Sequence, residues 1–147
     1  MIAIACDSAG LNIKSEIIAF LNKQGLEYTD FGTYDELPVD YPSFAQKVAN
    51  SILNGECGKG ILICGTGNGI SMAANRFHGI RAAICHDTFT AEAARSHNDA
   101  NIISFGARVI TAETALKCLK IFLATPFSGE ERHTRRIDMI DKLSGGK

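Results

Sequence analysis

Five short apolar runs alternate with helix-like segments along the chain, and this alternation limits the possible folds more than any other feature. The runs are residues 2–6, 26–31, 59–64, 80–85 and 100–105. The third, KGILIC, is almost continuously apolar, as in a strand whose two faces are both covered. The alternation predicts an α/β fold: a three-layer α/β/α, Rossmann-like, doubly wound sheet of about five parallel strands, with a C-terminal helix.

The segments between the runs carry apolar residues at helical spacing. Gly25 is the expected C-cap of the first helix, and Pro42 fits the first turn of the second. Further helices are expected after a glycine-rich loop and over three later stretches: residues 88–97, 111–125 and 129–143. There is no linker, repeat or low-complexity segment apart from the Gly-Gly-Lys end, so we interpret residues 1–147 as one domain.

Composition excludes several classes of function. A formal net charge of -1 gives no electrostatic argument for a nucleic-acid or membrane partner. The N-terminus, MIAIACDSAG, lacks the basic region of a signal peptide, and no apolar run is long enough to predict a membrane span. The five cysteines include no C-x-x-C pair, which predicts neither a disulfide framework nor a zinc knuckle. We therefore expect a cytoplasmic protein.

Cys64 has a setting that the other cysteines lack. Cys6, Cys85 and Cys118 lie in apolar or helical patterns and are expected to be small buried side chains, while Cys57 receives no role. Cys64 ends the third apolar run, and Gly-Thr-Gly-Asn-Gly follows it. Because ligands of open α/β sheets bind outside the carboxyl ends of the strands, this junction is a candidate site.

The loop after Cys64 fits few known phosphate loops. It matches neither G-x-G-x-x-G nor G-x-x-x-x-G-K-[ST], and Ile70 stands where a cysteine phosphatase needs its arginine. What remains is a set of glycines that expose backbone N–H groups ahead of a helix. Such a loop can stabilise an anionic oxygen, of a phosphate or of an enediolate, and can favour the thiolate of Cys64. A purely structural tight turn is the alternative.

Two further polar clusters lie outside this loop. His97 and Asn98 end a helix, where they form either a polar cap and turn or a proton-transfer group. Arg132 and Arg136 are four residues apart and share a helix face, so they form either a phosphate clamp, with Arg108 as a third cation, or a solvated charged surface.

Taken together, these segments resemble the ribose-5-phosphate isomerase type B / galactose-6-phosphate isomerase family. The resemblance rests on ILICGTGNGISMAANRFHGIRAAICHD, HNDANIISFGARV and the basic C-terminal helix. The start of the chain, the DFGT after the second run and the segment VDYPSFAQKVA also match. The match is collinear from residue 1 to about residue 143, which is nearly the whole chain.

The resemblance implies an aldose–ketose isomerase that opens the ring of a phosphorylated sugar and forms a cis-enediolate. Cys64 would be the base that moves the proton between C2 and C1, and Thr66 and His97 would assist ring opening. The remaining roles are substrate contacts. The enediolate would be held by backbone amides and the Asn68 side chain, within the group Gly65, Gly67, Asn68 and Gly69. Sugar hydroxyls would be contacted by Asp7, Tyr41 and Asn98. The phosphate would be bound by Arg108, Arg132 and Arg136.

The resemblance also implies what accompanies the chain. No metal or organic cofactor is expected, since the substrate carbonyl itself makes the C2 proton acidic. The family forms homodimers or dimers of dimers with active sites at the subunit interface. By that analogy His97, Asn98 and Arg108 would serve the neighbouring site.

Ser8 departs from the family pattern, because many relatives carry histidine after the first-strand aspartate, Asp7. That position lies near the phosphate end of the substrate, so Ser8 bears on which sugar phosphate is used. Ribose 5-phosphate is the first expectation, and allose 6-phosphate and galactose 6-phosphate are alternatives. A non-catalytic sugar-phosphate or nucleotide-binding module is a further alternative, against which the pairing of Cys64 with His97 argues.

Overall fold

The computed structural model describes residues 1–143, and residues 144–147, which include the Gly-Gly-Lys end, lie outside them. Five strands are formed: β1 (Ile2–Cys6), β2 (Tyr28–Asp30), β3 (Lys59–Cys64), β4 (Ala82–Ile84) and β5 (Ile102–Gly106). Six α-helices accompany them: α1 (Leu11–Lys23), α2 (Tyr41–Leu53), α3 (Asn68–Ala74), α4 (Thr88–Ser96), α5 (Ala112–Ala124) and α6 (Glu131–Lys142).

All pairings in the sheet are parallel, and the strand order is β2-β1-β3-β5-β4. The predicted α/β fold is therefore confirmed. The chain winds outward from β1 to β2, then returns to the other side of β1 to form β3. The order thus reverses between β1 and β3, which is where open α/β sheets bind ligands.

Side chains alternate between two apolar layers, as a buried parallel strand requires. In β1, Ile2, Ile4 and Cys6 face the layer that holds α1, α4 and α5, whereas Ala3 and Ala5 face α2 and α3. Three cysteines, Cys6, Cys85 and Cys118, are fully buried in the first layer, as predicted. Burial raises the pKa of Cys6 to about 11 and that of Cys85 to about 12, so both stay protonated thiols.

The two edge strands are shorter than the apolar runs that predicted them. β2 and β4 each have three residues, although backbone hydrogen bonds continue past both strands: the Phe31 N–H donates to the Ile4 carbonyl over 2.9 Å, and the Cys85 N–H donates to the Ser104 carbonyl over 3.2 Å. Gly25 has a φ of +68° and follows α1 as predicted, and Pro42 lies in the first turn of α2. Within residues 1–143, no helix has the length and apolar character needed to cross a membrane.

Candidate active site

Cys64 lies at the carboxyl end of β3, and a backbone amide points at its sulfur. The Gly67 N–H donates to Cys64 Sγ over 3.2 Å, and the Cys64 residue is 5% exposed. Gly67 can turn its amide back toward the sulfur because its φ is +82°, a conformation that favours glycine. The sulfur therefore has one backbone hydrogen-bond donor, at the start of the glycine-rich loop.

The loop after Cys64 packs backbone on backbone against the end of β5. A Cβ on Gly106 would lie 2.5 Å from the Thr66 carbonyl oxygen, and one on Gly67 would lie 3.1 Å from the Phe105 carbonyl carbon. The Ala107 N–H also donates to the Cys64 carbonyl over 2.8 Å. This close approach fixes the position of the loop relative to the sheet.

Two side chains from distant parts of the sequence lie over the loop glycines. A Cβ on Gly69 would lie 2.5 Å from Tyr41 Oη, and one on Gly65 would lie 3.0 Å from Arg108 Nη1. Arg108 takes this position because its own N–H donates to the Gly65 carbonyl over 2.9 Å. The loop therefore has a hydroxyl and a guanidinium close to its backbone amides.

Some of the loop amides already have partners. The Gly67 N–H is directed at Cys64 Sγ, and the Asn68 N–H donates to Thr66 Oγ1 over 3.1 Å. The Thr66 and Asn68 side chains are themselves exposed. A substrate oxygen bound in the loop thus meets a surface whose hydrogen bonding is partly organised in advance.

Asp7 directly follows β1, next to the end of β3 that carries Cys64. Cys6 is in register with Ile63, and the Asp7 N–H donates to the Ile63 carbonyl over 3.1 Å. Asp7 Oδ1 accepts the Ala9 N–H over 3.0 Å and so caps the short 3₁₀ turn of residues 8–10, which begins with the half-buried Ser8. The carboxylate is therefore held at the mouth of the site.

His86 belongs to the same edge of the sheet, although sequence reasoning assigned it no role. Its Nε2 accepts the Gly106 N–H over 3.2 Å, at the point where Gly106 packs against Thr66. The histidine directly after the fourth apolar run, in ICHD, was the available signal.

His97 and Asn98 lie at the opposite end of the sheet, where the strands begin. His97 ends α4, which runs back from the carboxyl end of β4 to the start of β5 at Ile102. Cys64 is level with Gly106 at the other end of β5, and the four residue steps between Ile102 and Gly106 span about 13 Å. Within one chain, His97 is therefore too far from Cys64 to share a substrate with it.

The C-terminal helix packs against His97 at this end of the sheet. The ring centroids of His97 and His133 are 4.5 Å apart, and Ser128 N–H donates to the Ser96 carbonyl over 3.1 Å just before α6 begins. This docking carries Arg132 and Arg136, both exposed, to the His97 side of the molecule. Arg132 is paired with Glu130 over 2.9 Å.

His133 is a second residue that sequence reasoning missed. Ser128 Oγ lies 2.7 Å from His133 Nδ1, and because this oxygen accepts the Glu130 N–H over 3.1 Å, its own hydrogen is free to donate to the ring. Loss of hydration on burial, together with nearby His97 and Arg132, lowers the pKa of His133. A neutral His133 ring therefore packs against His97, with cationic side chains around it.

The structure thus divides the predicted residues into two groups. The thiol half-site contains the residues at the carboxyl ends of the strands: Asp7, Ser8, Tyr41, Cys64, Gly65, Thr66, Gly67, Asn68, Gly69 and Arg108. The histidine half-site contains those at the opposite end of the sheet: His97, Asn98, Arg132 and Arg136. The family resemblance grouped Arg108 with His97 and Asn98, and with the two C-terminal arginines as phosphate ligands. In the structure, Arg108 lies on the Cys64 side of its own chain, because the segment after β5 folds back over Gly65.

Comparison with known proteins gives consistent matches over nearly the whole chain. A profile of the family described as Ribose/Galactose Isomerase matches residues 2–140. Ribose-5-phosphate isomerase B of Escherichia coli strain K12 is 44% identical over 142 residues, which cover 97% of this chain and 95% of that protein. D-erythrulose-4-phosphate isomerase of Pectobacterium atrosepticum is also 44% identical, over 131 residues that cover 87% of this chain and 85% of that protein.

A solved structure gives the same result in three dimensions. The crystal structure of a ribose 5-phosphate isomerase from Thermotoga maritima superimposes with a TM-score of 0.94 and 51% sequence identity, covering 97% of each chain.

Proposed function

The chain belongs to the ribose/galactose isomerase family, and we propose that it interconverts D-ribose 5-phosphate and D-ribulose 5-phosphate. The observation that carries this proposal is Cys64, an acid–base group at the carboxyl end of β3 with the Gly67 N–H directed at its sulfur. We propose a cytoplasmic, single-domain enzyme that needs neither metal nor organic cofactor and has no nucleic-acid or membrane partner.

Cys64 would move one proton in each direction of the reaction. The thiolate takes the C2 proton of the open-chain aldose, and the electrons of that C–H bond form the enediolate. The resulting thiol then returns the proton to C1, while the hydroxyl proton on O2 passes to O1. No net proton or electron is gained or lost, which is consistent with catalysis by side chains alone. The Gly67 N–H is directed at this sulfur, where a donor would lower the energy of a developing negative charge.

The negative charge of the enediolate requires donors close to C1 and C2. The amides of Gly65 and Gly69 and the Asn68 side chain, in the loop that follows Cys64, would supply these donors, and the Arg108 guanidinium lies beside Gly65. Preorganised donors of this kind stabilise an oxyanion better than water does, because they do not reorient during the reaction. Asp7, with Tyr41, would contact sugar hydroxyls.

Ring opening requires a second chain in this proposal. His97, assisted by Thr66, would move protons between the ring oxygen and the anomeric hydroxyl, but His97 and Cys64 of one chain lie at opposite edges of the sheet. We therefore propose a homodimer, or a dimer of dimers, in which the thiol half-site of one chain faces the histidine half-site of another. Asn98 of that half-site would contact the sugar.

The phosphate would bind away from the reacting carbons. Arg132 and Arg136 can form a clamp for a dianion, and binding there would supply energy that orients C1 and C2 over Cys64. Ser8 would face the phosphate end, where a small uncharged side chain leaves room for more than one chain length. A six-carbon sugar phosphate is therefore the alternative substrate class.

A kinetic panel tests the proposed function. Purified protein is assayed on aldose phosphates of four, five and six carbons, including ribose 5-phosphate and allose 6-phosphate. The proposal predicts the highest kcat/KM for ribose 5-phosphate. A higher kcat/KM for another aldose phosphate would identify that sugar phosphate as the preferred substrate. If the protein turned over none of them, a non-catalytic binding module would explain the site better.

A further inference from the structure

Arg81 connects the two parts of the histidine half-site, the turn that carries His97 and the C-terminal helix α6. We propose that Arg81 is a positioning residue that holds the His97–Asp99 turn and helix α6 in one fixed geometry; this inference rests on the proposed function. Arg81 directly precedes β4, at the same edge of the sheet as His97, and its side chain is 17% exposed.

One side of the guanidinium binds the turn that carries the proton-transfer histidine. Arg81 Nε donates to the Asn98 and Asp99 carbonyls, each over 3.2 Å, and Nη2 donates to the Asp99 carbonyl over 3.0 Å. Carbonyl groups at the end of a helix lack intrahelical donors, so the arginine supplies bonds that α4 cannot make. The turn needs this support, because Asp99 has a φ of +46°, which is uncommon for a residue with a side chain.

A second arginine shares the same turn from the other side. Arg95 Nη1 donates to Asp99 Oδ1 and to the Ala100 carbonyl, each over 2.8 Å, while Arg81 Nη2 reaches Asp99 Oδ2 at 3.5 Å. Arg95 is nearly buried and contacts α5 through the Thr125 carbonyl. Arg95 therefore fixes the turn to the core, and Arg81 binds the same turn on the side that faces α6.

The other side of the guanidinium binds the last turn of α6. Arg81 Nη1 lies 3.3 Å from both carboxylate oxygens of Asp141. Only His133 and Ile137 of this helix are buried, and both lie in its first two turns. Without the link to Asp141, the C-terminal half of α6 has little to hold it, and the helix can pivot about His133.

Such a pivot would move both functional groups of the half-site. Arg132 and Arg136 lie on α6, and His97 packs against His133 of the same helix. A guanidinium can bind the turn and the carboxylate at once because its donors diverge in one plane. A lysine keeps the charge but has a single nitrogen, so it cannot keep both contacts.

Three variants test the inference. Arg81→Lys is expected to lower kcat/KM for ribose 5-phosphate by about tenfold or more, with changes in both kcat and KM, since small misplacement of catalytic groups has large effects. Asp141→Asn removes the charge and one of the two acceptor oxygens from the link to α6 and leaves the bonds to the turn unchanged. It is expected to raise KM about fivefold with kcat within about twofold. The control, Arg135→Gln, removes the exposed Arg135–Glu131 pair on the same helix and should change neither constant by more than about twofold.

A spectroscopic readout separates positioning from loss of stability and does not require turnover. The imidazole NMR signals of His97 and His133 should shift in Arg81→Lys relative to the wild-type protein, because the contact between the two rings changes, and should not shift in Arg135→Gln. Unchanged imidazole signals, with kcat and KM within about twofold of wild type in both Arg81→Lys and Asp141→Asn, would overturn the inference. If Arg81→Lys does not fold, Asp141→Asn decides on the same criteria.

The proposed function and the role of Arg81 fail in different ways. If the wild-type protein turns over no aldose phosphate, the proposed function is wrong, and the imidazole signals still report whether Arg81 holds the turn against α6. If the wild-type protein is active and the Arg81 and Asp141 variants behave as it does, only the positioning role is wrong.

Discussion

Gly67 donates its backbone N–H to Cys64 Sγ from a left-handed conformation, and this one contact couples the loop to the thiol. Substitution Gly67→Ala is expected to lower kcat by about tenfold or more, since the added Cβ would lie 3.1 Å from the Phe105 carbonyl carbon and push the amide away from the sulfur. The free energy of unfolding should also fall by about 1 to 2 kcal/mol, because alanine disfavours a positive φ.

Gly55→Ala is the matched control for this variant. Gly55 also has a positive φ, +78°, but a Cβ there would meet nothing within 4 Å, and the residue belongs to neither half-site. Its stability should fall by a similar amount while kcat stays unchanged. Equal effects of the two substitutions on kcat would show that the Gly67 amide has no special role, as measured by steady-state kinetics and denaturant unfolding.

Cys64→Ser tests the proton-transfer role of the thiol. The hydroxyl keeps a similar shape and can accept the Gly67 N–H, but it is a much weaker acid, so kcat is expected to fall by about a thousandfold. Binding of ribose 5-phosphate, measured by calorimetry, should persist. The control is Cys57→Ala, a buried cysteine outside both half-sites, whose kcat should match wild type. A Cys64→Ser enzyme with wild-type kcat would exclude the thiol as base.

His97→Gln separates ring opening from enediolate formation. Ribulose 5-phosphate has no ring to open. Cys64 can therefore still remove a hydrogen from C1 of this substrate and exchange it with solvent deuterium when His97 is absent. Isomerisation is expected to fall by about a hundredfold in both directions, while deuterium incorporation at C1, followed by NMR, continues. Parallel loss of exchange and isomerisation would instead assign His97 to the enolisation step.

The lowered pKa of His133 predicts a dependence of stability on pH. The unfolded chain binds a proton to this histidine near pH 6.5, whereas in the folded chain burial, His97 and Arg132 oppose protonation until a lower pH. The free energy of unfolding should therefore decrease as the pH falls below about 6.5. Replacing the ring by His133→Gln should weaken this dependence, as measured by denaturant unfolding at several pH values. An unchanged pH dependence in that variant would assign the effect to other groups.

Much of the fold was predictable because it follows from local patterns. The apolar runs specify which segments are buried on both faces, so β3 and its junction with the loop at Cys64 were predicted at the residues where they occur. Gly25 and Pro42 likewise marked helix boundaries through backbone preferences of their own. The extent of β2 and β4 was overestimated, since edge pairing depends on a neighbouring strand rather than on the run itself.

The side-chain contacts of the site could not be derived from local patterns. Arg108 over Gly65, Tyr41 over Gly69 and His133 against His97 each join segments that are distant in sequence. The separation of the half-sites follows from the parallel topology, because a helix after one strand ends at the start of the next. Resemblance to a family supplied the roles of these residues, and the position of Arg108 beside Gly65 of its own chain came only from the structure.

Subunit complementation tests most directly the claim that each active site combines the thiol half-site of one chain with the histidine half-site of another. Cys64→Ala and His97→Ala chains, each inactive alone, are co-expressed with different tags, and assemblies that contain both are purified and assayed for isomerisation of ribose 5-phosphate. A mixed dimer then contains one site with Cys64 and His97 both intact and one site that lacks both. A site shared between two chains predicts about half of the wild-type kcat per dimer. Activity no higher than that of the two parent variants would contradict it.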